Sequence, residues 1–163
     1  MADEKTNVMR ALDQKKVPYR AHYYAHGDEA VDGVTVAQLL GQDPDAVFKT
    51  LVTRGASKTN YVFVVPVGRE LDLKKAAKAV GEKSIAMIHV SEITPLTGYV
   101  RGGCSPIGMK KQFKTTYDQS ALDHPAIAVS AGKIGAQVEL APQALAKLTR
   151  GQFADLTVPP ETD

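Results

Sequence analysis

The sequence predicts an α+β fold: a mixed sheet or partly closed barrel with helices around it. Three observations carry this. The candidate elements run helix, strand, helix, then mainly strands with inserted helices, without the steady βαβ alternation of a doubly wound fold. The chain has 163 residues and is 44% hydrophobic, enough for one domain with a real core and too apolar for a disordered chain. Thirteen Gly and nine Pro are spread along it, which implies short elements and many turns.

Taken in order, Val8, Ala11 and Leu12 share a helical face, with Thr6 as candidate N-cap and Pro18 as the stop. Tyr19 to Tyr24 reads as an aromatic-rich strand. A short helix through Val36, Leu39 and Leu40 follows, with Thr35 as candidate cap and Gly41 as terminator. Asp43-Pro44-Asp45 is a turn. Two apolar runs, 47–52 and 61–67, flank a polar stretch containing Gly55 and read as a hairpin. Asp72 caps a helix over 73–80 that Gly81 ends, with Lys74, Lys75 and Lys78 on its outer side. Residues 85–89 form a strand, and Ser91 caps a helix near 92–96. Gly102-Gly103-Cys104-Ser105-Pro106-Ile107-Gly108 is a backbone-dominated loop. Residues 127–130 and 137–140 are strands split by Ala131-Gly132-Lys133-Ile134-Gly135, and Pro142 opens a last helix running to Thr149. No repeat, linker or low-complexity tract divides the chain, so residues 1–163 read as a single domain.

No apolar run approaches the roughly 18 residues of a membrane helix, and the acidic start Met1-Ala2-Asp3-Glu4-Lys5 lacks a signal core. The lone Cys104 makes no internal disulfide, which suits a reducing cytoplasm. The net charge of +2 hides an asymmetry. Residues 49–114 hold twelve Lys/Arg against four Asp/Glu, and the remainder eight against fourteen. Such a distribution suits either a face that engages phosphates or a set of solvated helix faces.

Tests for familiar chemistry mostly fail. His22 and His26 are four apart, but in a strand that spacing does not converge two metal ligands, and His89, His124 and Cys104 have no near partner. Gly132-Lys133 is followed by Ile134 where a phosphate-binding loop needs Ser or Thr, and no dinucleotide fingerprint is present. No cofactor or metal is expected. Cys104 lies in a Gly-rich loop able to activate a thiol, although a lone Cys is more often a packing residue. Lys49 interrupts the apolar run Val47-Phe48-Lys49-Thr50-Leu51-Val52. Strand alternation puts it on the face of Val47 and Leu51. Two readings stay open: an edge lysine reaching out to water, or a cleft cation meeting a phosphate or carbonyl oxygen.

Five segments in register resemble the YbaK family: Phe48-Lys49-Thr50-Leu51, Leu71-Asp72-Leu73-Lys74-Lys75-Ala76-Ala77, the 102–108 glycine loop, Val129-Ser130-Ala131-Gly132-Lys133 and Val138-Glu139-Leu140-Ala141-Pro142. The resemblance spans about residues 6–156. It implies a mixed, barrel-like β-sheet with surrounding helices. The implied activity is deacylation of mischarged tRNA, foremost Cys-tRNA(Pro), in partnership with prolyl-tRNA synthetase. Editing of another mischarged tRNA such as Ala-tRNA(Pro), or non-catalytic tRNA or synthetase binding, is the alternative. The resemblance assigns catalysis to Lys49, Gly102 and Ser130, and substrate binding to Tyr24, Thr50, Gly103 and Gly132. It also implies a mechanism in which the substrate's own thiol attacks its ester, with Lys49 positioning the substrate. Two departures from the family pattern are Ile134, where Arg is common, and Cys104, where an aliphatic residue is common. Lys74, Lys75, Lys78, Lys110, Lys111 and Lys114 are candidate contacts to the tRNA backbone.

Overall fold

A computed structural model describes residues 5–27 and 31–159. Helix α1 (Asn7–Gln14) is capped by Thr6, whose hydroxyl accepts the Met9 N–H at 3.2 Å, and it buries Val8, Met9 and Leu12. It ends before Pro18 is reached. Lys16 turns into the left-handed region at φ 57°, and the Lys16 and Val17 N–H groups close on Asp13 and Leu12 carbonyls. Strand β1 is Arg20–Tyr23. Helix α2 (Gly33–Leu40) is capped by Asp32 and not by Thr35. The Asp32 carboxylate accepts both the Thr35 N–H (2.9 Å) and the Thr35 hydroxyl (2.8 Å), so the stronger acceptor takes the cap and Thr35 becomes its donor. Gly41, at φ 67°, closes the helix as expected.

After a 3-10 turn at Pro44–Ala46 comes the predicted hairpin of β2 (Phe48–Gly55) and β3 (Asn60–Pro66), with Lys49 opposite Val65 and Thr50 opposite Val64. In α3 (Leu73–Val80) the Asp72 carboxylate accepts the N–H groups of Lys74 (2.9 Å) and Lys75 (3.1 Å), and Gly81 ends it. Lys75 is not free on the outer side: its Nζ donates to Asp155 (3.1 Å) and to the Thr157 carbonyl (2.8 Å). Strand β4 is Ile85–Met87. Helix α4 (Val90–Thr97) starts two residues earlier than a Ser91 cap would place it; His89 takes the cap position and its N–H donates to the Glu92 carboxylate at 3.0 Å. Then follow β5 (Lys114–Asp118), β6 (Ile127–Ser130), β7 (Ala136–Leu140), α5 (Pro142–Thr149) and β8 (Gln152–Ala154).

The strands form two sheets, an antiparallel one in the order β1-β7-β6 and a mixed one in the order β4-β2-β3-β5-β8, in which β5 runs parallel to β3 and β8. The α+β class with a mixed sheet is as expected. The sheets do not close into a barrel; a parallel bridge between Val47 and Ala128 joins them where β2 begins. Central β3 is buried on both faces, with Val62, Phe63, Val64 and Val65 fully inaccessible, which is why it reads as an unbroken apolar run. One face joins the larger core with Phe48, Val52 and Val129; the other packs Phe63 and Val65 against Ala76 and Ala77 of α3. The sheet junction at Val47 leaves a cleft over the first residues of β2. Among the described residues, no helix is long and apolar enough to cross a membrane.

Candidate active site

The cleft measures about 120 Å3. Tyr24, Lys49, Thr50, Gly102 and Ser130 all line it, so residues up to 106 positions apart in sequence meet at one place. Tyr24 arrives just after β1, held by its N–H to the Gly135 carbonyl at 3.0 Å. Lys49 and Thr50 come from the start of β2, and Ser130 from the end of β6. Gly102 brings the glycine loop to the cleft at φ 85°, a backbone conformation that favours glycine.

Gly103 and Gly132 do not line the cleft; packing accounts for both. Gly103 is buried, its N–H donates to the Val100 carbonyl at 3.0 Å, and a Cβ there would lie 3.1 Å from the Ile134 nitrogen. The glycine loop therefore rests on the Lys133–Ile134 turn, which is the role Ile134 takes here. Gly132 sits at φ 93°, where a Cβ would meet Tyr99 at 3.0 Å and Val8 at 3.1 Å. Its N–H donates to the Ser130 hydroxyl at 3.1 Å, which fixes that hydroxyl.

Lys49 is half-buried, and among the described residues it forms no ion pair. Burial pushes its pKa below the usual lysine value, and the Glu70 carboxylate partly restores it. A cation held away from bulk water without a bonded counter-charge gains most from an incoming anion or developing oxyanion. Lys49 thus lines the cleft and does not reach fully out to water. Thr50 adds a buried hydroxyl with no hydrogen-bond partner among the described residues.

Cys104 also lines the cleft, but burial pushes its thiol up to about 11, so it is protonated near neutral pH and a poor nucleophile. No histidine is among the lining residues described. The described residues hold no cluster of His, Cys, Asp or Glu fit for a metal ion. Sequence reasoning missed one polar wall residue, Gln137, which stands opposite Ser130 on β7 and is only 4% exposed. As one polar position in a strand it carries no signal of its own.

The two-sheet α+β frame brings a glycine loop and a lysine without an ion pair among the described residues to one cleft at the sheet junction, and the described lining residues include no conventional catalytic dyad. Residues 28–148 match the aminoacyl-tRNA editing domain, and the chain belongs to that family as an aminoacyl-tRNA deacylase. It is 50% identical over 154 residues, 94% of each chain, to an Enterococcus faecalis (strain ATCC 700802 / V583) protein named "Putative Cys-tRNA(Pro)/Cys-tRNA(Cys) deacylase EbsC". A crystal structure described as "a putative trans-editing enzyme for prolyl tRNA synthetase" superimposes with a TM-score of 0.79 at 26% identity, over 93% of this chain and 95% of that one. A second solved structure, of a hypothetical protein, gives a TM-score of 0.83 at 22% identity over 95% of this chain and 100% of that one, and shows the fold alone.

Proposed function

We propose that the chain deacylates mischarged Cys-tRNA, foremost Cys-tRNA(Pro), with the substrate's thiol as nucleophile and Lys49 as the charge that positions and stabilises the reacting ester. The observation that carries this reading is the cleft's combination of an unpaired lysine with no activated nucleophile among its described residues: the Cys104 thiol is held protonated, and the Ser130 hydroxyl is bound to the Gly132 N–H with no histidine beside it. By the same volume measure one water needs roughly 10–15 Å3, so 120 Å3 accommodates a small aminoacyl ester while the tRNA remains outside.

In the proposed step the substrate sulfur forms a bond to its own ester carbonyl carbon. The bond from that carbon to the ribose oxygen breaks, the thiol proton ends on that oxygen, and a thiolactone leaves with its ring closed. Water then opens the thiolactone to cysteine. The protein's contribution is to hold thiol and ester in reacting geometry and to offset charge on the carbonyl oxygen. Lys49 supplies the cation, Gly102 close backbone approach, Ser130 and Tyr24 polar contacts to ribose or amino group, and Thr50 an uncommitted hydroxyl. Cysteine and proline are close in size, and apolar contacts alone separate such side chains weakly, so a second, hydrolytic sieve after prolyl-tRNA synthetase fits the chemistry. That synthetase is the proposed partner, and the exposed lysines 74, 78, 110, 111 and 114 the proposed tRNA contacts.

The test compares Cys-tRNA(Pro) with the same tRNA carrying S-methylcysteine. Release of cysteine with retention of S-methylcysteine supports the substrate-thiol route. Equal release of both would show that water or a protein group attacks, and would refute it.

A further inference from the structure

We propose that Gln137, held in place by Gln42, reads the amino-acid side chain of the substrate and selects for a hydrogen-bonding group on its β-carbon. The inference rests on the deacylase reading above and adds the residue pair that sets its amino-acid preference.

The cleft has a polar mouth and an apolar floor. Gly102 is exposed, and Tyr24, Lys49, Thr50 and Ser130 are partly so, whereas Val36, Val47, Phe48, Val129 and Ala136 are at most 5% exposed. Among the described lining residues Gln137, at 4%, is the polar residue most buried as a whole; Thr50 is partly exposed but its hydroxyl is buried. A tRNA is too large to enter, so its ester stays near the mouth and the amino-acid side chain points to the floor. There it meets Gln137, with the buried Thr50 hydroxyl and the Cys104 thiol as the other polar atoms among aliphatic and aromatic carbon.

Gln137 is presented in a defined way. The Gln42 Nε2 donates to the Gln137 Oε1 across 95 residues of sequence. Gln42 is itself fixed, because it follows the left-handed Gly41 that ends α2 and its N–H closes on the Ala37 carbonyl at 2.8 Å. With its oxygen taken, Gln137 offers its NH2 to the cleft, and among the described residues no other hydrogen bond engages that amide. A floor donor suits the oxygen or sulfur of a β-hydroxyl or β-thiol and leaves a methyl group without recompense. The discrimination is asymmetric: a site built around a polar contact penalises the analogue that leaves its donor unpaired more than an apolar pocket penalises a size change. Gln42, whose Oε1 has no partner among the described residues, acts through Gln137 as a positioning residue.

The experiment uses stable 3′-amide analogues, 3′-deoxyadenosine bearing cysteine, serine or 2-aminobutyrate on a 3′-amino group, with dissociation constants measured by calorimetry. These probes do not react, so side-chain recognition is read apart from catalysis. Wild type is expected to bind the cysteinyl and seryl probes about tenfold more tightly than the 2-aminobutyryl probe. Gln137→Met, which keeps volume, is expected to bind all three within about twofold of one another. Gln42→Met is expected to retain binding with a reduced preference, and a thermal melt of each variant verifies folding. Equal binding of the three probes by wild type, or an undiminished preference in folded Gln137→Met, overturns the inference while the deacylase reading stands. Failure of folded wild type to bind any probe overturns the deacylase reading and this inference with it.

Discussion

Replacing Lys49 with methionine separates a functional lysine from a structural one, because the two roles predict opposite changes. The side chain is half-buried, has no ion pair among the described residues, and has its pKa lowered by burial. The fold therefore disfavours the charged form relative to water. Methionine keeps the stem and removes the charge, so stability is expected to stay level or rise by up to about 1 kcal/mol, which for a chain this long is about 2–4 °C in Tm. Loss of one preorganised charge at a developing oxyanion costs about 2.7–4 kcal/mol, or roughly 10²–10³ in rate. The assay pairs single-turnover release of radiolabelled cysteine from Cys-tRNA(Pro) with a thermal melt of the same preparation. A stable but inactive variant is the expected result. Near-normal turnover would remove Lys49 from the chemistry. A fall of more than about 6 °C in Tm would mean that the lysine holds the fold together and that the burial argument is wrong.

The same charge sets a pH limit: because the Lys49 pKa is lowered, its cation persists below that pKa and is lost as pH rises through it, so activity corrected for spontaneous ester loss should decline at a lower pH than an ordinary lysine would give, and Lys49→Arg should move the decline upward. An unchanged profile in the arginine variant would count against Lys49 as the titrating group. Gly132→Ala should destabilise by about 1–3 kcal/mol, since it forces a Cβ into φ 93° against Tyr99 and Val8, and should slow deacylation by shifting the Ser130 hydroxyl; wild-type melting and turnover would refute this. Engagement of about four phosphates by the exposed lysines predicts a loss of roughly 10² in affinity for tRNA between 50 and 200 mM salt, and a flat salt dependence in filter binding would remove those lysines from the interface.

The parts of the fold that were legible in sequence are those whose signals are local. Asp72 and Gly81 bracket α3 because a cap and a left-handed stop act within a few residues, and the β2–β3 hairpin shows itself in two apolar runs around a polar turn. Strand β5 was not legible: Lys114-Thr115-Thr116-Tyr117-Asp118 has no apolar alternation, and its burial comes from parallel pairing to β3 and β8, far away in sequence. Strand β8 is three residues long and sits at the sheet edge. The caps differ from Thr35 and Ser91 for different reasons: the Asp32 carboxylate outcompetes the Thr35 hydroxyl, and at α4 the Glu92 carboxylate reaches back to the His89 N–H and so sets the helix start at Val90. In the site, Lys49 stood out as a charge in an apolar strand, and family order rather than spacing pointed to Tyr24, Gly102 and Ser130. The Gln42–Gln137 contact was invisible, since each glutamine alone is an ordinary polar residue and only the fold brings them together.

Deacylation of mischarged Cys-tRNA is tested most directly by presenting the wild-type protein with a panel of charged tRNAs: Cys-tRNA(Pro), Ala-tRNA(Pro), Ser-tRNA and Cys-tRNA(Cys). Rapid loss of cysteine from Cys-tRNA(Pro), abolished by Lys49→Met, is the expected result, with alanine retained on the same tRNA because it carries no thiol. Preferential removal of alanine, or no release of cysteine by the folded protein, would contradict it.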